Sequence, residues 1–220
     1  MGYDLLVKNG RILKDGRLQE LDIYINDGKI ADVKKSSKKE KAAEVIDAKK
    51  RVILPGLIDS HVHFREPGQT KKEDWVSGSK AAAAGGVTTV LDMPNNSPSI
   101  VSEKNLKEKR RIAQKKSFID FGFHFGATKE NMGELEKIDD IASVKFYLGS
   151  STGPLLMDDP VINEKYFSAL KEKNIPATIH AEDEQMVSRL TALLSKKPAN
   201  RLISVGPDLG KRLHLQLRKC

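Results

Sequence analysis

The sequence predicts an α/β fold, namely an incomplete (β/α)8 TIM-like barrel preceded by a small domain of β-sandwich type. The chain begins with short strands separated by turn dipeptides, and it continues with apolar segments that alternate with helical segments. That alternation is typical of a parallel sheet covered by helices. We therefore expect a small β domain over residues 1–51, a partial barrel domain over residues 52–185 and an atypical basic tail over residues 186–220.

Residues 1–51 are predicted to form a small antiparallel sheet. Alternating apolar and polar residues fit half-buried strands, and dipeptides with turn chemistry separate them. Asn9-Gly10 is the strongest hairpin signal, and Asp15-Gly16 and Asp27-Gly28 mark further turns. Residues 44–47 close the sheet, and the lysine-rich stretch before them indicates a solvated loop.

Five apolar segments predict the strands of the barrel. The strands lie at about 52–65, 87–93, 118–125, 142–148 and 175–182, and the helices lie at about 74–84, 102–116, 132–137 and 164–173. A (β/α)8 barrel needs eight strands and about 250 residues. We therefore expect an incomplete barrel of about five strands, and a chain that is a truncated form of a longer protein.

The first barrel segment carries the strongest functional signal. It presents His61, His63 and Arg65 at two-residue spacing, and alternate side chains on a β-strand share one face. Two imidazoles about 6–7 Å apart along a strand can reach one metal ion. We therefore expect a metal site at the C-terminal end of this strand.

Later strands add polar groups at the same predicted edge. Asn95 follows the second strand, Lys145 points into the barrel from the fourth, and His180 ends the fifth. Functional groups of such barrels gather at the C-terminal ends of the strands. A buried lysine is costly while it is charged and unpaired, and carbamylation would convert it into an anionic oxygen ligand. Each residue alone has a structural explanation, so the prediction rests on their joint placement. His124 is expected in the core or at a sheet edge, and His214 lies in the tail.

The composition points away from nucleic-acid and membrane partners. Hydrophobic residues make up 39% and charged residues 31%, which is ordinary for a globular protein. The net charge of +8 is not arranged as a basic stripe with interleaved aromatic residues. No apolar run approaches the roughly 20 residues that cross a bilayer. The only cysteine is Cys220, which fits a reducing compartment, so we expect a cytoplasmic protein.

The motifs at these positions resemble those of the cyclic amidohydrolase superfamily, and within it the dihydroorotases that use a carboxylated lysine. The resemblance covers nearly all of residues 1–185. It is carried by HVHFREPG at 61–68, GGVTTV at 85–90, DMPN at 92–95, Lys145 followed by SSTG at 150–153, and HAE at 180–182.

This resemblance implies two divalent metal ions, usually zinc. His61 and His63 would bind the first ion, His180 would bind the second, and a carbamate on Lys145 would bridge them. The resemblance shows no catalytic residue in this chain. The late-strand aspartate of such enzymes and their further histidine ligand have no convincing counterpart, because neither Asp208 nor His214 follows a suitable strand.

The resemblance also implies a substrate with a carboxylate. His63, Arg65 and Asn95 would bind it, and the planar fork of an arginine matches a carboxylate. The implied reaction is the reversible hydrolysis of the cyclic amide of (S)-dihydroorotate to N-carbamoyl-L-aspartate, a step of de novo pyrimidine synthesis. The expected partners are this small molecule and either a second copy of the chain or another pyrimidine-pathway enzyme.

Two alternatives stay open at this point. The first is an allantoinase or another cyclic amidase, although Arg65 together with Asn95 favours a carboxylated substrate. The second is a non-catalytic scaffold with the amidohydrolase architecture. Metal content and turnover of the purified chain separate them.

Overall fold

The structure is a computed structural model that describes residues 2–37, 40–149 and 155–195. The chain divides into two compact units, and the boundary lies between Gly56 and Leu57. The predicted motif at residues 150–153 lies outside the described residues, as do Asp208, His214, Cys220 and most of the predicted basic tail.

The first unit is a five-stranded sheet of mixed direction. Strands β1 (Tyr3–Lys14), β2 (Arg17–Asn26) and β3 (Lys29–Lys34) run antiparallel. Strands β4 (Ala42–Asp47) and β5 (Val52–Ile53) pair with β1 in parallel. The prediction of a purely antiparallel sheet is therefore wrong. After β3 the chain returns to the start of β1, where the Tyr3 N–H donates to the Lys41 carbonyl at 2.9 Å. Strand β4 starts at this end and therefore runs in the same direction as β1.

Asn9-Gly10 does not form the predicted hairpin. Strand β1 continues through this dipeptide as a β-bulge with a register shift, and Asn9 has a positive φ of 57°. The carboxylate of Asp22 accepts the Asn9 N–H at 2.9 Å, and Asp47 accepts from the Asn9 side chain at 3.0 Å, so both neighbouring strands hold the residue. The turns form instead at Asp15-Gly16 and Asp27-Gly28, where both residues have positive φ as two-residue hairpins require.

The second unit is an open parallel sheet of five strands, which confirms the predicted partial barrel. Its order is β10-β9-β8-β7-β6, so strands that follow one another in the chain are also neighbours in space. The strands are β6 (Leu57–Val62), β7 (Val87–Asp92), β8 (Asp120–Gly126), β9 (Ser143–Tyr147) and β10 (Ala177–His180). The helices are α1 (Trp75–Ala84), α2 (Glu103–Lys116), α3 (Pro160–Glu172) and α4 (Glu184–Ser195), with a short 3-10 helix at Met132–Glu136.

Side-chain caps explain where the helices begin. Asp74 caps α1 and Ser102 caps α2, at the start of two helices that the sequence predicts. Helix α3 begins earlier than predicted, because Asp159 accepts two backbone N–H groups and Pro160 suits the first helical position. Helix α4 lies in a segment for which the sequence predicted no helix. Among the described residues, no helix has the length and apolar character needed to cross a membrane, and the cytoplasmic location stays a prediction.

Aromatic packing shows which side chains of β9 face the helices and which face the opposite side of the sheet, where the candidate site lies. Phe146 of β9 packs edge-on against Tyr166 of α3, with ring centroids 5.5 Å apart. Alternate residues of a strand point to opposite faces, so Lys145 and Tyr147 point away from the helices. The predicted inward orientation of Lys145 is therefore confirmed, and this side chain is only 2% exposed.

We expect Gly68→Ala to lower the free energy of unfolding by about 3 kcal/mol. Gly68 has a φ of +92°, and a Cβ there would lie 1.8 Å from the Ser97 carbonyl oxygen. Gly86→Ala is the matched control, because Gly86 has a φ of +83° but no atom within 4 Å of its Cβ position. The control should cost only the 1–2 kcal/mol or so of a left-handed residue. Denaturant titration measures both values, and equal losses would contradict the expectation.

Candidate metal centre

The candidate site begins where β6 ends, earlier than the sequence predicted. The strand stops at Val62, so His63 and Arg65 belong to the loop that follows. The strict alternation predicted through Arg65 is wrong, since this residue has a left-handed φ of 58°. The cause lies at Phe64, whose N–H donates to the Asp92 carboxylate at 2.9 Å and whose buried ring packs against the α1 tryptophan at 4.9 Å.

His61 and His63 are brought together as predicted. Their ring centroids are 5.3 Å apart and their planes are inclined by 55°. Burial lowers the pKa of both imidazoles, and the nearby Lys145 ammonium lowers the pKa of His61 further. Both rings therefore favour the neutral form, which is the form that binds a metal ion.

Asn95 orients the ring of His63. The side-chain oxygen of Asn95 lies 2.7 Å from His63 Nδ1, and Asn95 is only 6% exposed. Because an amide oxygen accepts, Nδ1 carries the hydrogen and the Nε2 lone pair stays free for a metal. The amide NH2 of Asn95 remains available to a bound molecule. The structure thus adds a ring-orienting contact to the substrate-binding role predicted for Asn95.

Lys145 lies buried on the inner face of β9. Within the described part of the chain, no carboxylate comes within ion-pair distance of its Nζ, which lies 5.1 Å from the centroid of the Tyr147 ring. Burial lowers the pKa of this ammonium. The neutral amine is the form that adds carbon dioxide, and the resulting carbamate supplies an oxygen ligand. The environment of Lys145 therefore suits carbamylation better than a stable positive charge.

His180 lies at the end of β10, at the margin of the sheet. Its side chain is 39% exposed, and Nε2 lies 3.2 Å from a Glu182 carboxylate oxygen. Its ring centroid is 6.0 Å from that of Tyr147, which is its register partner on β9, whereas Lys145 is paired with Thr178. The described contacts of His180 thus belong to β9 and its own loop, and they do not include the pair formed by His61 and His63.

The donor set fits a divalent metal ion when Lys145 carries a carbamate. In the described ranges, no group of three or more His, Cys, Asp and Glu side chains is arranged to hold a metal. Two imidazoles alone fall short of the four ligands that zinc prefers. A carbamate oxygen from Lys145 would extend the nitrogen pair to the mixed nitrogen and oxygen set that zinc accepts.

The sequence did not reveal a chain of hydrogen bonds on this face of the sheet. His124 Nε2 donates to the Ser60 carbonyl at 3.0 Å, and its Nδ1 lies 2.6 Å from the Ser143 hydroxyl. The Ser143 hydroxyl lies 2.6 Å from that of Thr178. These contacts join β6, β8, β9 and β10. The buried position of His124 confirms its predicted core location, whereas the polar residues at 143 and 178 gave no signal beyond strand alternation.

Comparison with known proteins gives the same family as the sequence motifs. A model described as "Amidohydrolase family" matches residues 52–191. A dihydroorotase of Methanosarcina acetivorans is 40% identical over 193 residues, which cover 87% of this chain and 41% of the relative. An allantoinase of Desulfitobacterium hafniense is 33% identical over 197 residues, which cover 87% of this chain and 43% of the relative.

A solved structure supports the same architecture. The L-hydantoinase (dihydropyrimidinase) from Arthrobacter aurescens matches with a TM-score of 0.82 at 26% sequence identity. The match covers 88% of this chain and 44% of that one. The chain therefore spans less than half the length of the three relatives named.

The metal-free protein should lose stability as the pH falls from about 7.5 to about 5.5. Burial lowers the pKa of His124 from 6.5 in the folded state, so below that pH the unfolded chain binds a proton that the folded chain resists. His61 and His63 act in the same direction. Denaturant titrations with a chelator present measure the effect. The pH dependence should be weaker in His124→Gln, and an unchanged slope would show that His124 does not contribute.

Proposed function

Because the chain belongs to the amidohydrolase family, we propose that it carries the metal centre and the substrate carboxylate site of a dihydroorotase. Such an enzyme reversibly hydrolyses the cyclic amide of (S)-dihydroorotate to N-carbamoyl-L-aspartate. The observation that carries the proposal is the place of Arg65, two residues beyond the pair of candidate metal-binding imidazoles. Its Nη1 is buried and has no hydrogen-bond partner among the described residues.

The unpartnered guanidinium nitrogen supports a carboxylated substrate. Buried polar atoms of folded proteins are nearly always hydrogen-bonded, so a buried guanidinium donor without a protein partner is suited to bind an anionic group. A carboxylate would accept from Arg65 in the fork geometry, and the amide of Asn95, which contacts His63 two residues before Arg65, would supply a second donor. The Tyr147 hydroxyl is likewise buried without a partner, and burial raises the pKa of this phenol to about 12, so it stays a donor at neutral pH.

Amidohydrolases are typically metal-dependent, and this chain offers ligands for two divalent ions, which we propose to be zinc. His61 and His63 would hold one ion, His180 would hold the other, and the Lys145 carbamate would bridge them. The ions would supply Lewis-acid activation of water and of the ring carbonyl. The ligands of such a centre bind in their deprotonated forms, and the lowered pKa values of His61, His63 and Lys145 favour those forms.

The other residues bind and orient. Arg65 and Asn95 would fix the carboxylate end of the ring, which holds the cyclic amide in one orientation. Asn95 also keeps the Nδ1 hydrogen of His63 in place, so one side chain links the substrate to a ligand of the metal. This link explains why the arginine and the asparagine follow neighbouring strands.

A specific observation favours a second candidate, a non-catalytic scaffold with the amidohydrolase architecture. No ready three-ligand group of His, Cys, Asp and Glu exists in the described part of the chain, so binding of a metal depends on modification of Lys145. Metal content and turnover of the purified chain decide between the two candidates. The expected association with a second copy or with another pyrimidine-pathway enzyme stays a prediction.

We expect Lys145→Ala to abolish the metal centre. Wild-type protein supplied with zinc and bicarbonate should bind two ions per chain, and turnover of dihydroorotate by it would exclude the scaffold. In the variant, the affinity for zinc should fall by more than the 10–100-fold or so that follows the loss of an outer-shell partner. Elemental analysis and a spectrophotometric assay measure these quantities. Lys165→Ala, which changes an exposed lysine of α3, is the control and should match wild type.

Three outcomes of that experiment are informative. Wild-type metal content in Lys145→Ala would refute the bridging role. A wild-type chain that binds at most one ion and has no turnover would support the scaffold. Loss of both metal and activity on removal of carbon dioxide, with recovery on adding bicarbonate, would support the carbamate.

Arg65→Met should separate substrates by their charge. We expect kcat/KM for dihydroorotate to fall about 100-fold, since a hydrogen bond to a charged group contributes roughly 1.5–3 kcal/mol. Hydrolysis of dihydrouracil, which has the same ring without the carboxylate, should change little. Arg111→Met, at an exposed position of α2, is the control. An equal loss on both substrates would contradict carboxylate binding, and a wild-type preference for allantoin would favour the allantoinase alternative.

A further inference from the structure

Lys109 is a charged residue on the buried face of α2. It is fully buried, and it shares this face with Leu106 and Ala113, which lie three residues before it and four residues after it. Burial of an ammonium is costly unless its hydrogen bonds and its charge are satisfied. The partners of Lys109 therefore need an explanation.

The Lys109 ammonium has one anionic partner and two hydrogen-bond acceptors. Its Nζ lies 2.8 Å from the Asp92 carboxylate, 2.8 Å from the Met93 carbonyl oxygen and 2.9 Å from the Asn96 side-chain oxygen. The contacts with Met93 and Asn96 are hydrogen bonds and the contact with Asp92 is an ion pair, so the charge of the buried ammonium is compensated. The Asp92 side chain is fully buried as well.

The ion pair holds the loop after β6 at the candidate metal site. The second carboxylate oxygen of Asp92 accepts the N–H of Phe64 at 2.9 Å. Phe64 lies between His63 and Arg65, where the chain leaves the strand and turns into a left-handed conformation. Asp92 thereby sets the backbone on which both side chains stand.

The same pair holds the loop after β7. Lys109 binds Met93 and Asn96, which flank Asn95 on either side. Asn95 in turn contacts His63 Nδ1 at 2.7 Å. The two loops thus meet at the contact between Asn95 and His63, and one buried ion pair fixes the backbone of each.

A second lysine of α2 contacts the loop after β6 at a point beyond Arg65. Lys116 lies two turns after Lys109 on the helix and pairs with Glu66. Glu66 also accepts the N–H of Trp75 at 3.2 Å, and its carbonyl accepts from the indole at 3.3 Å. The α2 helix therefore contacts the loop at two points, one fully buried and one in which the lysine is 42% exposed.

A purely structural role explains this arrangement less well. A buried ion pair contributes little stability compared with apolar side chains of the same volume, which would fill the space between α2 and the sheet equally well. What apolar side chains cannot do is bind a backbone N–H and a backbone carbonyl in two different loops. Those hydrogen bonds are directional, and they lie next to the candidate ligand and its partner.

We propose that Lys109 and Asp92 are positioning residues that set the contact between His63 and Asn95. Through that contact they control the metal affinity of the imidazole pair and the placement of the Asn95 amide. The consequences for metal and substrate rest on the proposed function, whereas the contact itself exists in the metal-free protein. A readout of the contact therefore separates failure of this inference from failure of the proposed function.

The test compares three variants of the full chain. Lys109→Met keeps the length of the side chain and removes the ammonium. Asn96→Ala is milder, because it removes one loop acceptor and leaves the ion pair. Lys107→Met is the matched control on the same helix, since Lys107 is 71% exposed and pairs with Glu103 one turn earlier. Thermal melts followed by circular dichroism establish that each variant folds.

Two readouts follow. The first is the 15N imidazole resonance of His63 in metal-free protein, which reports the hydrogen bond at Nδ1. The second is the Zn²⁺ dissociation constant, measured by competition with a chromophoric chelator. We expect Lys109→Met to move the resonance toward that of a non-hydrogen-bonded imidazole and to raise the dissociation constant about tenfold or more. Asn96→Ala should shift the His63 resonance and raise the zinc dissociation constant by smaller amounts, and Lys107→Met should match wild type in both.

The inference is overturned if folded Lys109→Met keeps the wild-type resonance and zinc affinity. Where Lys109→Met does not melt cooperatively, Asn96→Ala decides in the same way, and wild-type values in that variant overturn the inference. A wild-type chain that binds no zinc and hydrolyses no cyclic amide would refute the proposed function. In that case the His63 resonance alone decides, and its change in the folded variants would support positioning by the ion pair.

Discussion

A fully buried ion pair between Asp92 and Lys109 joins helix α2 to both loops of the candidate site. Parallel strands deliver their C-terminal ends to one edge of the sheet, but the loops beyond those ends have no ladder to fix them. Here the carboxylate holds the loop after β6 and the ammonium holds the loop after β7. The contact between His63 and Asn95 forms where the two loops meet, so the geometry of the imidazole pair depends on a lysine that touches neither residue.

Burial controls the chemistry of the site as strongly as geometry does. The candidate site carries two imidazoles and an amine with lowered pKa values, because the charged form of each is desolvated. Nearby positive groups lower the pKa of the two imidazoles further. In this environment the imidazoles favour the neutral form that binds a metal ion, and the lysine favours the neutral amine that reacts with carbon dioxide. The same loop leaves Arg65 with a buried donor that has no partner among the described residues, which agrees with the proposed binding of a carboxylate.

The predictions that succeeded and those that failed differ in the range of the forces involved. Strand periodicity and the caps Asp74 and Ser102 act within a few residues, and the corresponding elements are confirmed. Asn9-Gly10 has strong local hairpin chemistry, yet strands on both sides hold it as a bulge. The alternation beyond Val62 failed for a similar reason, since a carboxylate 28 residues later in the chain captures the Phe64 N–H.

The sequence by itself determined the family, the alternation of strands and helices in the partial barrel up to α3 and β10, and the identity of the candidate ligands, because motif spacing and side-chain periodicity are local properties of the chain. Only the tertiary structure decided that Lys109 is buried against Asp92, that Asn95 orients His63, and that Arg65 holds an unpartnered donor. These three facts depend on residues from different elements meeting in a space without water. Desolvation and the direction of hydrogen bonds then determine which polar group each of these side chains contacts, and neither property can be predicted from one segment alone.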